Sequence, residues 1–588
     1  MTGAEYIAAF LARAGCRHVH AMTGGACAFM LDAVGRHPAL ELVCFQHEQA
    51  AAMAADAVWR VSRRVGVTMA TSGPGATNLI TGIACSFFDS IPSLHITGQV
   101  NQRESSAVHG AKVRQSGFQE TRIVDMVRPV VKYAVLVRNV EELRRELAKG
   151  LAIALSGRMG PVLIDVPMDV QQAEMPDDMP EAAPVTRPDP APAAAAAEAL
   201  GATLAAARRP LVLWGGGVNM AGAAPALARW LAQSGLPFVA SWAGLDGFDH
   251  AMPGFLGQIG VYGNRGANFA LQNADTVIVL GSRLDNRQRS GNPANFATGA
   301  TVHVFDVDPA ELQKYGGAYR TTEIDLQLLP EILAAVQAPP VAADWQDYLR
   351  TMKARYHGRE TSSSALRLNS LSPYDVVRRI RHLIAPDAIV AADTGAALCW
   401  LYQAFEVSRH RLFTAGGNSP MGYALCAAIG AKLEAPERQV VSYNGDGGFQ
   451  VNLQELETVR RLGLDIAIVV MNNGSYGIIK QFQDSYLGGR YTGSQLGYSA
   501  PDFGRIAEAY GIRHARVERL EDMTPDLFRN GPTLIDVILS DQTLIEPKLE
   551  MGRPINDQYP YLADEDYAEG NRFVAYPRPP GFAGGRRS

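Results

Sequence analysis

Two short apolar runs late in the chain, Gln439 to Tyr443 and Ile466 to Met471, are each followed by a polar cluster. The clusters are Gly445-Asp446-Gly447 and Asn472-Asn473, with an amphipathic stretch, Leu453 to Leu462, between them. This spacing predicts a strand–helix–strand unit with oxygen donors at the carboxyl ends of both strands, the edge at which open α/β sheets hold ligands. Asp446 and Asn473 can then meet on one ion. With the backbone carbonyl of Ser475 they form a hard-oxygen set suited to Mg²⁺, with positions left for phosphate oxygens. Gly445 and Gly447 let the backbone come close to those phosphates. A lone Gly-Asp-Gly is usually a turn, and the paired asparagines at this distance give the pattern its specificity.

A chain of 588 residues suggests three domains of ordinary size, and 47% hydrophobic with 19% charged residues is the composition of a globular protein. Short β-branched runs alternate with amphipathic helices throughout, as at Val65 to Ala70, Leu211 to Trp214, Thr276 to Leu280 and Val302 to Asp306. The fold class expected is α/β, with three doubly wound parallel-sheet domains over 1–173, 198–340 and 373–546. Pro/Ala-rich residues 174–197 and residues 341–372 read as linkers. The tail 547–588, rich in Pro, Tyr and Gly, is either a lid over a site or surface wrapping. A net charge of −5 gives no reason to expect nucleic acid or an anionic membrane as partner. Apolar stretches are broken by Gly, Pro or charge before membrane-spanning length. The periodic, Glu5-containing N-terminus argues against a signal peptide. Cys16, Cys27, Cys44, Cys85, Cys399 and Cys426 lack C-x-x-C spacing, as expected of free thiols in a cytoplasmic protein.

The Gly445 to Asn473 pattern resembles the diphosphate-binding motif of thiamine diphosphate (ThDP) enzymes. Further segments are similar, in order, to the acetohydroxyacid (acetolactate) synthase family: Gly24-Gly25-Ala26, Thr71 to Asn78, Thr97-Gly98-Gln99-Val100, Phe118-Gln119-Glu120 and Gly160-Pro161-Val162. The resemblance implies a pyrimidine-binding first domain, a central FAD-type domain and a diphosphate-binding last domain. Glu48, in the first turn of a helix, would by itself be read as a dipole complement. The resemblance makes it the carboxylate that bonds the cofactor's pyrimidine and promotes ionisation of thiazolium C2. It also implies that Gly25, Phe118 and Gln119 line the pocket over the thiazolium and that Asn78 lies near the pyrimidine. Met421 is then the bulky apolar residue that bends the cofactor, an orientation effect worth several kcal/mol. In this family Glu48 and Asp446 would serve one site from two subunits, so a homodimer or homotetramer is expected.

Gly281-Ser282-Arg283-Leu284-Asp285-Asn286-Arg287 and Phe305-Asp306-Val307-Asp308 are similar to the FAD-contacting segments of the family. That implies Arg283 and Arg287 on a diphosphate and Asp306 or Asp308 accepting from ribose or adenine groups. Read alone, these residues only end strands.

The chain departs from the family at four places. Ala396-Ala397 stand where a Gln-His pair is expected, Phe482 where a tryptophan favours 2-ketobutyrate, Met168 where a lysine lines the channel, and Met22-Thr23 where Tyr-Pro precedes the glycines. Arg114 to Glu120, Asn418 to Met421 and Pro547 to Gly552 resemble acetyl-transferring carboligases of the yersiniose type that accept ketones, and loss of the tryptophan and lysine would suit a wider, less anion-selective pocket. The expected reaction is decarboxylation of pyruvate and transfer of its two-carbon unit to a carbonyl acceptor, a ketone, with Phe482 helping to select it. The alternatives are acetolactate synthesis, with pyruvate as acceptor, and a non-catalytic ThDP-fold subunit.

Overall fold

The structure, a computed structural model, describes residues 1–109, 113–176, 187–359 and 363–578. It contains three six-stranded, wholly parallel sheets. The first holds β1 (His18–Ala21), β2 (Glu41–Cys44), β3 (Gly66–Ala70), β4 (Ser93–Gln99), β5 (Tyr133–Leu136) and β6 (Val162–Pro167). The second holds β7 (Pro210–Trp214), β8 (Phe238–Ala240), β9 (Phe255–Gln258), β10 (Thr276–Leu280), β11 (Thr301–Asp306) and β12 (Arg320–Glu323). The third holds β13 (Ile389–Ala392), β14 (Arg411–Phe413), β15 (Val440–Gly445), β16 (Ile466–Asn472), β17 (Arg513–Val517) and β18 (Thr533–Ile538). The central strands of each sheet are buried along their whole length, which is why they read as continuous apolar runs rather than alternating ones.

The first and third sheets share one order, β2-β1-β3-β4-β6-β5 and β14-β13-β15-β16-β18-β17. The order reverses between β1 and β3, and again between β13 and β15. The central sheet runs β12-β11-β10-β7-β8-β9 and reverses between β10 and β7, the arrangement of dinucleotide-binding domains. Each reversal opens a crevice at the carboxyl ends of its two strands, and the glycine-rich turns of the sequence lie in these crevices. Fully buried side chains such as Phe238 and Phe305 stabilise the layers by about 1.5–3 kcal/mol each.

The first and last domains meet through the helices Glu48–Ser62 and Tyr423–Glu434. Ala50, Ala54 and Ala57 of one pack into a common core with Ala427, Ala428 and Ala431 of the other. Such small side chains let two helix axes come near the short end of the usual 8–10 Å range. Any displacement at the start of one helix is therefore felt by the other.

Two segments are more ordered than composition suggested. The helix Ala343–Tyr356, inside the expected linker 341–372, buries Trp345, Tyr348 and Met352 in the central core. The helix Pro192–Ala205 begins inside the expected linker 174–197, of which 177–186 lie outside the described residues. The described part of the tail wraps the central domain. Leu549, Ile555, Tyr567 and Tyr576 join its core, and Arg265 donates to the carbonyls of Gln558 and Pro560 at 3.1 and 2.7 Å. All six cysteines are free, five of them buried. Among the described residues no helix is long and apolar enough to cross a membrane.

Candidate active site

The β15–β16 register pairs Gly445 with Met471, so Asp446 and Asn473 leave adjacent strands at the same edge. Asp446 is 3% exposed. Its Oδ1 accepts from the Gly447 amide at 2.9 Å, while Oδ2 is buried with no hydrogen-bond partner of ordinary geometry. Burial, opposed by the Tyr498 hydroxyl and the Gly447 and Gly474 amides, pushes the carboxyl up to about 6. Asn473 is buried beside it and donates through Nδ2 to Ser475 Oγ at 3.2 Å, which turns its amide oxygen the other way. An unsatisfied carboxylate oxygen next to an amide oxygen is a cost of 1–3 kcal/mol without a ligand and an asset with a cation. The donor set thus fits Mg²⁺. Because protons and metal compete for Asp446, Mg²⁺-dependent ThDP affinity should fall as pH drops through about 6, which calorimetric titration at several pH values would measure.

The diphosphate would lie against the amino ends of two ten-residue helices, Gly395–Ala404 after β13 and Gly477–Tyr486 after β16. Their free amides and dipoles favour an anion. Ala396 and Ala397 face this crevice: a Cβ built on Gly477 would stand 3.4 Å from Ala396 Cβ, and one on Gly445 3.8 Å from Ala397 Cβ. Gly447 has no room for a side chain, since its Cβ would sit 2.3 Å from the Tyr476 ring, which packs on Tyr498 at 4.4 Å between centroids. Gly447→Ala should therefore weaken ThDP·Mg²⁺ binding about tenfold, the low end of an overpacking cost, without unfolding the domain. Circular dichroism titration with the cofactor would check this.

The second group of residues lies in the crevice of the first sheet. Glu48 opens its helix, is 5% exposed, and accepts from Asn78 Nδ2 at 3.0 Å. Gly75 packs against the same carboxylate, and Gln119 packs on Gly73 of the same turn. Gln119 has φ +61°, a strained conformation for a side-chain-bearing residue of the kind that collects at functional sites. Ala26, next to Gly25, donates to Thr71 Oγ1 at 3.1 Å, which brings the Gly25 turn to this cluster. Phe118 projects beyond it at 85% exposure, so the single chain does not enclose it. Among the described residues Glu48 makes no hydrogen bond to the last domain of its own chain.

Met421 sits in a loop held from several sides. Asp393, at the end of β13, accepts from the Gly422 amide at 2.9 Å, and Thr394 and Ser419 share a 2.6 Å hydroxyl contact. Asn418 donates to the Thr81 carbonyl, and the Gly417 amide donates to Asp89 at 2.8 Å. Burial pushes Asp393 up to about 7. Asp393 and Asp89 lie in none of the motifs that mark the site in the sequence. An acid immediately after a buried strand, as in Ala392-Asp393-Thr394-Gly395, was the available signal for the first.

Gly281, Arg283, Arg287 and Asp306 all border one cleft of about 1740 Å³, counting its solvent-open mouth, where the three domains meet. The Gly217 amide donates to the Gly281 carbonyl at 2.9 Å, and Gly281, at φ +60°, has no space for a Cβ. Arg287 lies over the Tyr262 ring at 5.7 Å without a carboxylate partner among the described residues. Arg283 donates to the Phe88 carbonyl at 2.9 Å and faces Asp285 at 3.5 Å. Asp306 is raised by burial and accepts from the Asp308 amide. Asp308, the other expected flavin contact, is instead tied to Arg158 at 2.8 Å and caps the helix Pro309–Gln313. A cleft with closely apposed glycine turns and a free guanidinium fits a dinucleotide with its diphosphate.

Phe482 lies on the helix Gly477–Tyr486, 36% exposed, with its ring 4.8 Å from that of Tyr486. The tail touches the same helix, where the Met551 amide meets the Tyr486 hydroxyl at 2.6 Å.

Residues 1–126, 197–337 and 393–537 match, respectively, the N-terminal TPP binding domain, the central domain and the C-terminal TPP binding domain of thiamine pyrophosphate enzymes. The chain belongs to the thiamine pyrophosphate enzyme family. Within that family its likeness runs to acetolactate synthases. It is 35% identical to the acetolactate synthase isozyme 2 large subunit of Escherichia coli (strain K12), over 94% of this chain and 98% of the relative. It is 31% identical to the acetolactate synthase large subunit of Lactococcus lactis subsp. lactis, over 94% and 95%. With the large subunit of Corynebacterium glutamicum the identity is 33%, over 98% and 92%.

Proposed function

We propose that this enzyme decarboxylates pyruvate and transfers the acetyl unit to a second 2-keto acid, forming acetolactate when that acceptor is pyruvate. The carrying observation is near-full-length similarity to acetolactate synthases in a chain that keeps beside Asn473 a buried Asp446 whose Oδ2 lacks a partner of ordinary geometry, and a sequestered Glu48. Bound ThDP supplies the carbon nucleophile and the electron sink for loss of carbon dioxide. Asp446, Asn473 and the Ser475 carbonyl hold Mg²⁺ against the diphosphate. Glu48, oriented by Asn78, bonds the pyrimidine ring and governs its proton. Met421 would shape the bound cofactor, while Gly25, Phe118 and Gln119 would line the pocket over its thiazolium. The three-domain cleft would hold FAD, with Arg287 and Arg283 available to its diphosphate and Gly281 leaving room for a close approach. The exposure of Phe118 and the lack, among the described residues, of any hydrogen bond between the Glu48 carboxylate and its own last domain support a dimer in which each site draws on two chains.

A ketone acceptor is the second reading. Its support is in the sequence, where Phe482 and the apolar Met168 stand in place of a larger aromatic and a cation. The relatives favour the keto acid. Carbon-13 NMR of labelled pyruvate with ThDP, Mg²⁺ and FAD, alone and with 2-ketobutyrate or simple ketones, separates the two. Acetolactate as the dominant product, joined by the 2-ketobutyrate adduct, is expected. Tertiary alcohols from ketones that outcompete acetolactate would overturn the keto-acid assignment.

A further inference from the structure

Immediately after the metal-side helix Asp446–Val451, the chain turns through Asn452 and Glu455, which are 1% and 0% exposed. Neither faces the crevice of its own sheet. Asn452 Nδ2 donates to the Gly422 carbonyl at 3.0 Å, the residue after Met421. Its Oδ1 accepts from Gln49 Nε2 at 3.4 Å, the residue after Glu48. Gly422 sits so close that a Cβ there would lie 2.7 Å from Asn452 Nδ2. Three residues on, the Glu455 carboxylate accepts from the Gln46 backbone amide at 3.1 and 3.3 Å and from the Thr458 hydroxyl at 2.6 Å. Arg461 donates to the Cys44 carbonyl. Three side chains of the last domain thus grip the stretch Cys44–Gln49 from outside, and one of them also grips the Met421 loop.

We infer that Asn452 and Glu455 are positioning residues that fix the register of Glu48 against the Met421 loop within each chain. The inference rests on the ThDP reading above. A buried amide bonded to two separate segments holds both only if neither moves, because a lost partner leaves a buried polar group unsatisfied. Besides Gln49 and backbone groups, Asn452 bonds Gln454 and Met53 and Glu455 bonds Thr458, none of them a proposed catalytic or metal-binding residue, so their role is geometry rather than chemistry. In a dimer whose sites are shared, Glu48 and Met421 of one chain would serve different cofactors. The clamp would then tie the alignment of one site to that of the other.

The test compares Asn452→Ala, Glu455→Leu and the conservative Glu455→Gln, which keeps an acceptor for the Gln46 amide. In cofactor-free protein, amide hydrogen exchange of peptides covering 44–50 should accelerate in Glu455→Leu and return toward wild type in Glu455→Gln. In Asn452→Ala the peptides covering 44–50 and 416–422 should both accelerate. With ThDP·Mg²⁺ bound, C2 proton exchange should fall about tenfold or more in the two disruptive variants, the scale of a sub-ångström misplacement, while cofactor affinity stays within about threefold. Unchanged amide exchange and unchanged C2 exchange in folded Asn452→Ala would overturn the inference. If Glu455→Leu fails to fold, Asn452→Ala and Glu455→Gln still decide it. Glu48→Gln serves as reference: if it too exchanges C2 at the wild-type rate, the ThDP reading fails instead.

Discussion

Glu48→Gln should slow C2 proton exchange of bound ThDP by about 10²- to 10⁴-fold, the usual range for removing a positioned acid–base group, with the fold intact. The substitution keeps size and one acceptor oxygen for Asn78 Nδ2, now 3.0 Å from Glu48 Oε2. It leaves the amino end of the helix Glu48–Ser62 capped by His47, whose ring accepts from the Gln49 amide at 3.0 Å. Packing of Gly75 on the side chain is also preserved. What is lost is the carboxylate's ability to share a proton with the pyrimidine. Thermal melting should therefore change little, while deuterium exchange at C2, followed by NMR after acid quench, collapses. Wild-type exchange in a well-folded variant would remove Glu48 from the mechanism.

Asp446→Ala should have the opposite thermal signature from an ordinary buried deletion. Its carboxyl is held up at about 6 by burial, against an ordinary value of 3.8. In the cofactor-free protein the group therefore costs stability. That cost is absent below about pH 4, grows as pH rises, and is complete above about 6, on the order of 3 kcal/mol. The alanine variant, free of this penalty, should melt no lower than wild type at pH 7 when both lack cofactor. Added ThDP·Mg²⁺ should stabilise wild type but not the variant. Its cofactor affinity should fall by more than about 100-fold, beyond the 10- to 100-fold typical of residues that only support a metal ligand. A calorimetric scan with and without cofactor at pH 7 reads both effects. A variant that still gained stability from ThDP·Mg²⁺ would place the metal elsewhere.

Much of the architecture was legible because the chain announces it locally. Parallel strands buried on both faces read as apolar runs, and the residues that follow them, Gly445-Asp446-Gly447 and Asn472-Asn473, mark the sheet edge that holds ligands. Register then does the rest: pairing Gly445 with Met471 places Asp446 beside Asn473 without further signal. What could not be read depends on contacts between distant segments. Asn452 and Glu455 look like ordinary polar residues beside a helix, and only the packing of the last domain on Cys44–Gln49 gives them partners more than 400 positions away. Residues 341–372 read as a linker because they follow the Pro339-Pro340 break and run into the polar stretch Glu360 to Ser372. The buried side of Ala343–Tyr356 carries only Trp345, Tyr348, Leu349 and Met352. The acceptor was the least legible element. Met168, Phe482 and Ala396-Ala397 change volume and charge relative to the family pattern, and such changes discriminate between acceptors by differences of a few kcal/mol that spacing does not encode.

The most direct measurement uses two inactive chains together. Glu48→Gln and Asp446→Ala chains, carrying different tags and co-expressed, are purified as mixed dimers and assayed for acetolactate formation from pyruvate. If each site takes Glu48 from one chain and Asp446 from the other, a mixed dimer carries one doubly defective and one intact site. About half of the wild-type activity per dimer should then return. Mixed dimers as inactive as either parent would mean that both residues serve a site within one chain, contradicting the shared active site proposed here.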